Sequence, residues 1–207
     1  EYSMSENAGR TFDLVTLGQL LLRLSPPNNE RLMRCDVFEK QVGGAELNVA
    51  VGVSLLGLHT GIISKIPSHD IGSFMKGKIR SYGVSDDFFI YDKSPSARVG
   101  IYYYENGAYP RKPKVIYDRA NSSFYSIKID EIPEEVYSAT KCFHTSGITL
   151  ALNPQIRKTA IEMIKRFKEA GTLVSFDVNF RGNLWTGAEA KECIEQILPY
   201  VDIFFCS

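Results

Sequence analysis

Two glycines, Gly43 and Gly44, stand directly ahead of a stretch with helical spacing, and Glu46 and Asn48 put polar side chains into its first turn. Glycine admits positive φ and leaves no Cβ between the backbone and a ligand. A helix start exposes unpaired N–H groups at the positive end of its dipole, which suits hydroxyls, carboxylates or phosphates. The plainer alternative is a tight turn before a buried helix. A second run, Asp177-Val178-Asn179-Phe180-Arg181, follows an apolar segment directly. If it stays extended, Asp177 and Asn179 share one side. Arg181 offers a planar fork of donors for a carboxylate or phosphate, with a structural Asp–Arg pair as the alternative. Tyr102, Tyr103 and Tyr104, with Tyr117 and Arg119, fall in two β-branched and aromatic segments. Alternation puts Tyr102 with Tyr104, and Tyr117 with Arg119, on common faces. A hydroxyl-bearing aromatic face with one guanidinium suits a polyhydroxylated acid. The alternative is an amphipathic sheet whose tyrosines simply pack.

Other chemistries find little support. His144 stands near Ser146, but there is no G-x-S-x-G elbow and no clear acid partner, so it reads as a core histidine. There is no G-x-x-x-x-G-K-[ST] phosphate loop and no G-x-G-x-x-G dinucleotide fingerprint. Cys35, Cys142, Cys193 and Cys206 are scattered without a C-x-x-C pair, which argues against structural zinc and for a reducing, cytoplasmic setting. Three of these cysteines lie in apolar or helical patterns, as buried free thiols do.

The elements that must position these residues alternate. Segments 12–17 and 59–66 read as core strands, 45–56 as a helix ended by Gly57, and 70–82 as a helix with Asp70 as its N-cap. A short strand at 88–91 follows. Segments 141–145, 173–177 and 202–206 read as further strands, separated by a helix opened by Asn153-Pro154 and another at 188–198. Strand and helix alternating in this way predict a parallel sheet with crossover helices. Segments 19–24, 36–42, 97–104 and 114–119 break the pattern and read as a small separate sheet over the main one.

The 207 residues suit one domain with a sizeable core. Lys+Arg and Asp+Glu both number 24, which gives no basic footprint for nucleic acid. No apolar run approaches the ~18 residues of a membrane span. Residues 1–10 are polar and lack the apolar core of a signal peptide, so they read as an appended or disordered segment ahead of a unit spanning 11–207. An apolar strand one residue before Ser207 leads us to expect the N-terminal portion of a larger folded unit, with the C-terminal part of the fold absent from this sequence.

Taken together, Gly43-Gly44-Ala45-Glu46-Leu47-Asn48-Val49-Ala50 with Leu56-Gly57, Ser146-Gly147-Ile148, and Asp177-Val178-Asn179-Phe180-Arg181-Gly182-Asn183-Leu184-Trp185 resemble the ribokinase-like carbohydrate kinases of the phosphofructokinase-B type. Within that family the match is closest to the 2-keto-3-deoxygluconate kinases. The resemblance implies an α/β fold, a mostly parallel sheet with flanking helices plus a small β-sheet lid. It implies that Gly43, Gly44 and Asn48 meet sugar hydroxyls, and that Tyr102, Tyr117 and Arg119 reach over from the lid. Arg119 and Arg181 would hold an acidic substrate and the transferred phosphoryl group, Arg181 being the catalytic one, and Asn179 and Ser207 would fall on the nucleotide side. It further implies ATP and Mg²⁺ as cofactors, no metal ligand from the residues singled out, and homodimerisation through the lid strands. One departure stands out: the family's Gly-Ala-Gly-Asp run, whose aspartate is the general base, does not occur.

The expectation is therefore ATP-dependent phosphorylation of a small sugar acid, 2-keto-3-deoxygluconate to its 6-phosphate, by an enzyme of which this chain alone is inactive. Alternatives are a fructokinase- or ribokinase-type kinase for a neutral sugar, a sugar-binding module without catalysis, and a generic nucleotide-binding α/β domain.

Overall fold

The computed structural model describes residues 9–207, so residues 1–8 of the expected N-terminal segment lie outside it. Arg10, grouped with that segment, is instead tied down: its guanidinium donates to Thr140 O and Thr172 Oγ1, both at 2.6 Å, and to Ala170 O at 2.5 Å.

Eleven strands are present among the described residues: β1 (Phe12–Leu17), β2 (Leu21–Ser25), β3 (Glu39–Gly43), β4 (Thr60–Pro67), β5 (Val84–Ser85), β6 (Phe89–Asp92), β7 (Gly100–Glu105), β8 (Lys114–Asp118), β9 (Thr140–Ser146), β10 (Leu173–Asp177) and β11 (Ile203–Phe205). The helices are α1 (Ala45–Leu55), α2 (Asp70–Ser81), α3 (Val136–Ala139), α4 (Gly147–Ala151), α5 (Pro154–Glu169) and α6 (Gly187–Ile197). The main sheet runs β11-β10-β9-β1-β4-β5, with β6 also on β4, and every pair in it is parallel. The second sheet runs β3-β2-β7-β8 and is mixed: β2 and β7 are parallel, and the outer pairs are antiparallel.

Two hydrophobic clusters flank the main sheet. Ile62 and Ile66 belong to one and Ile63 to the other, so alternation along β4 places the clusters on opposite faces. The first gathers Leu47 and Ala50 of α1 with Met75 and Ile79 of α2, beneath Leu22 and Val42 of the small sheet. The second gathers Ile156, Ala160, Met163, Ile164 and Phe167 of α5, where Phe143 and Phe167 stack 4.0 Å apart. Asn153 caps α5 by accepting from Ile156 N at 2.7 Å, with Pro154 at the first helical position.

Several boundaries differ from the sequence reading for physical reasons. The strand expected at 36–42 begins at Glu39, opposite Ser25. The next residue on β2's side is Pro26, which has no N–H for the ladder. Asp70 is the first residue of α2, and His69 takes the cap position without a side-chain bond. The 177–179 run does not stay extended. Asn179 adopts φ +36° and its N–H donates to Asp177 Oδ1 at 3.0 Å, closing a turn. Of the cysteines only Cys193 is buried, and Cys206 is exposed. The apolar residues of β11 are all exposed. Among the described residues no helix is long and apolar enough to cross a membrane.

Candidate functional site

The small sheet and the carboxyl ends of the parallel strands face each other across a cleft of about 540 Å³. Its floor comes from segments that leave the main sheet: Gln19 after β1, Ile148 after β9, and Arg181 and Asn183 after β10. Its roof comes from the lid strands. Strand alternation puts Leu21 and Arg23 of β2, Tyr102 and Tyr104 of β7, and Val115 and Tyr117 of β8 on the cleft side. Register then aligns Arg23, Tyr102 and Tyr117 in one row across three strands. The Tyr102 and Tyr117 rings lie 5.9 Å apart, and the Arg23 guanidinium sits 4.3 Å over Tyr104. Burial pushes the Tyr102 hydroxyl's pKa up, so it stays a neutral donor.

The start of α1 closes one side through Gly44, Ala45, Glu46 and Asn48. Gly44 sits at φ +150°, and a Cβ there would lie 2.7 Å from Gln19 O. At Gly43 a Cβ would lie 2.5 Å from the Tyr102 hydroxyl. Gly44 is therefore required both by space and by conformation, while a side chain at Gly43 would displace the Tyr102 hydroxyl. No side chain caps this helix start, which leaves its first-turn N–H groups at the cleft.

Glu46, 2% exposed, turns inward. Its Oε1 accepts from Ser146 Oγ at 2.6 Å and Thr149 Oγ1 at 2.8 Å, joining α1 to the end of β9 and to α4. Desolvation raises its pKa, against the opposing pull of the two hydroxyls. It is the one carboxylate among the described lining residues, and its engaged oxygen is not offered to a ligand.

Arg119 and Arg181 both reach the cleft, Arg181 exposed and Arg119 half-buried beside Tyr117, with its guanidinium 5.5 Å from that ring. Burial lowers the Arg119 pKa from a value so high that the group remains a cation. Of the residues singled out from the sequence, Gly44, Asn48, Tyr102, Tyr117, Arg119 and Arg181 line this one cleft, and Gly43 borders it through Tyr102. Asn179 and Ser207 do not line it. His144 is buried and bonded to Ser175 Oγ at 2.9 Å, with burial holding its pKa down. Gln19, Arg23 and Asn183 were not singled out. For Gln19 and Arg23 the signal was present: two polar residues spaced by four in the apolar run from Leu17 to Leu24 fall on one strand face.

A larger groove of about 760 Å³ runs along α5. It lies away from the strand ends, and Arg166 within it is paired with Glu134 and Glu162. No group of three or more His, Cys, Asp or Glu that could hold a metal occurs among the described residues. The described chain therefore offers no protein-built cage for a divalent cation.

Comparison with known proteins gives concordant findings. A family model described as pfkB family carbohydrate kinase matches residues 11–207. A 2-dehydro-3-deoxygalactonokinase of Haloferax volcanii is 38% identical over 193 residues, 93% of this chain and 60% of that protein. The crystal structure of 2-dehydro-3-deoxygluconokinase from Thermotoga maritima superimposes with TM-score 0.88 at 36% identity, covering 93% of this chain and 59% of that one. A sugar kinase from Pyrococcus horikoshii, solved in complex with ATP, gives TM-score 0.79 at 28% identity over 92% of this chain and 62% of that one. The chain thus spans between about half and 60% of the length of the curated relatives it matches.

Proposed function

This chain belongs to the pfkB family of carbohydrate kinases, and on that premise we propose that its cleft is the acceptor-sugar side of an ATP-dependent sugar-acid kinase. The substrate class is a 2-keto-3-deoxy aldonate, with 2-keto-3-deoxygluconate the favoured member and its galactonate epimer next. The observation that carries the reading is the pair Arg119 and Arg181 on one cleft with tyrosine hydroxyls and an uncapped helix start. One guanidinium suits a carboxylate and the other the transferred phosphoryl group, and the glycine turn, Asn48, Tyr102 and Tyr117 suit a row of hydroxyls.

In this reading the sugar's primary hydroxyl attacks the terminal phosphorus in line, and catalysis is mostly positioning and charge neutralisation. Arg181, exposed at the strand edge, faces the transferred group, and Arg119 faces the substrate carboxylate. ATP as donor is supported by the relative solved with it. Asn179 and Ser207, beyond the cleft, are assigned to the nucleotide side. Mg²⁺ would come with the phosphates, because the described residues build no cage for it. Glu46 does not supply the general base, since its Oε1 is held by two hydroxyls. The unpaired cysteines fit a cytoplasmic setting. The outer face of the lid is assigned to a homodimer.

The test is a substrate panel on the whole protein that carries this chain: 2-keto-3-deoxygluconate, its galactonate epimer, fructose and ribose. A kcat/KM for the acids at least about tenfold above either neutral sugar is expected. A preference for fructose or ribose would move the reading to a neutral-sugar kinase. Binding without turnover of any of the four would move it to a sugar-binding module.

A further inference from the structure

Tyr102 takes a path across the lid. It stands on β7, yet a Cβ placed at Gly43 of β3 would lie 2.5 Å from its hydroxyl oxygen. Strand β2 runs between those two strands, and neighbouring strands lie about 4.8 Å apart, so the Tyr102 side chain spans β2. On the cleft face of β2 it passes Leu21 and Arg23, and Arg23 is its partner in register.

Arg23 is itself held. Its guanidinium lies 4.3 Å over the Tyr104 ring, and its Nε donates to Ser25 Oγ at 2.9 Å. Among the described residues no carboxylate comes within ion-pair distance of it. The stack and the serine fix the plane of the fork beside Tyr102 without using its terminal nitrogens. Burial raises the Tyr102 pKa, and the Arg23 cation beside it pulls the other way. Arginine carries donors only, so towards it a tyrosine oxygen can only accept. The hydroxyl hydrogen is then left for the cleft. Such a donor gains most from a substrate oxygen that is charged or can only accept, and less from a sugar hydroxyl, which can serve in either sense.

We propose that Arg23 is a positioning residue for Tyr102: it holds the Tyr102 hydroxyl as a donor towards the keto or carboxylate oxygens of a keto acid, and so adds to the preference for an acid over a neutral sugar. This rests on the sugar-acid reading above and narrows the part Tyr102 plays in it. Arg23→Met removes the charge and the donors and keeps a long side chain on the Tyr104 ring.

The experiment is calorimetric titration of the whole protein with 2-keto-3-deoxygluconate and with fructose, alongside thermal melts. Arg23→Met is expected to melt as wild type does, to bind the acid at least about fivefold more weakly, and to bind fructose within about twofold of wild type. Tyr102→Phe should show the same selective loss. On a Tyr102→Phe background, Arg23→Met should weaken acid binding by no more than about a further twofold. Losses that multiply in the double variant mean that Arg23 acts on the acid directly, and they overturn the proposal. So does an acid affinity left at the wild-type level, a lowered melt, or equal loss of both ligands, the last two being the marks of a purely structural role. If Arg23→Met does not fold, Arg23→Gln enters the same cycle, with the same results supporting or overturning the proposal. A wild type that binds the acid no better than fructose overturns the sugar-acid reading and this proposal with it. A discriminating wild type with multiplying losses, or with none, overturns the role of Arg23 alone.

Discussion

Glu46 shows how one side chain can be visible in a sequence and yet be misplaced by it. Its position in the first turn of a helix predicts a polar group at a ligand, but the carboxyl turns inward to Ser146 and Thr149, a hundred residues further along the chain. Periodicity reports which face of a helix a residue occupies, not which hydroxyls arrive there from another strand. The consequence is a pH dependence. Burial raises the Glu46 pKa above its ordinary carboxylate value, so the folded state holds the proton more tightly than the unfolded chain. That stabilisation is complete below the ordinary value and is lost as pH rises through the folded one. Gln keeps an acceptor for both hydroxyls and does not ionise. Glu46→Gln is therefore expected to gain melting temperature relative to wild type as pH rises from the ordinary carboxylate range to neutrality. A constant difference across that range in calorimetry would count against it. The shared face of Tyr102 and Tyr104, by contrast, was legible from alternation, because a strand's two faces are set by its own backbone.

At the scale of elements, the segments read most accurately are those with local punctuation. Helix α5 begins where Asn153-Pro154 says it should, with the Asn153 side chain accepting from Ile156 N and donating to Tyr125 O. Asn153→Ala removes both bonds and is expected to cost about 1–2 kcal/mol in chemical denaturation, without altering the cleft. A cost near zero would mean that packing of the Phe167 face holds the helix unaided. Elements whose limits depend on a distant partner were misread. The strand ending at Gly43 is shorter than its own alternation implies because Pro26 stops the ladder on the neighbouring strand. The turn at Asn179 depends on Asp177 reaching forward to its N–H, and nothing in the residue types forbids an extended path there.

At the scale of the whole molecule, the alternation of strands and helices was enough to read a parallel sheet, and the aromatic segments were enough to read a second one. The order of strands was not legible, since β9 pairs with β1 across more than a hundred residues and only tertiary packing sets that register. The lid's outer face belongs to this scale as well. Ile116 stands opposite Tyr103, whose ring lies 5.7 Å from Phe38, on the side away from the cleft. Ile116 is 45% exposed. If that face joins two copies, Ile116→Glu should shift the whole protein from dimer to monomer in sedimentation, because a charge buried in an apolar contact is left unpaired. An unchanged sedimentation coefficient would place any self-association elsewhere.

Strand β8 has a consequence of another kind. All five of its residues are exposed, and it bonds to one neighbour only, while β1 lies at the centre of the main sheet with parallel partners on both sides. Amide protons on β8 will therefore trade with solvent through small local openings, and those of β1 through global unfolding alone. Tyr117, and Arg119 just beyond the strand's end, thus ride on the segment of the sheet that lets go first. A bound ligand that engages both would slow exchange there more than anywhere else in the chain.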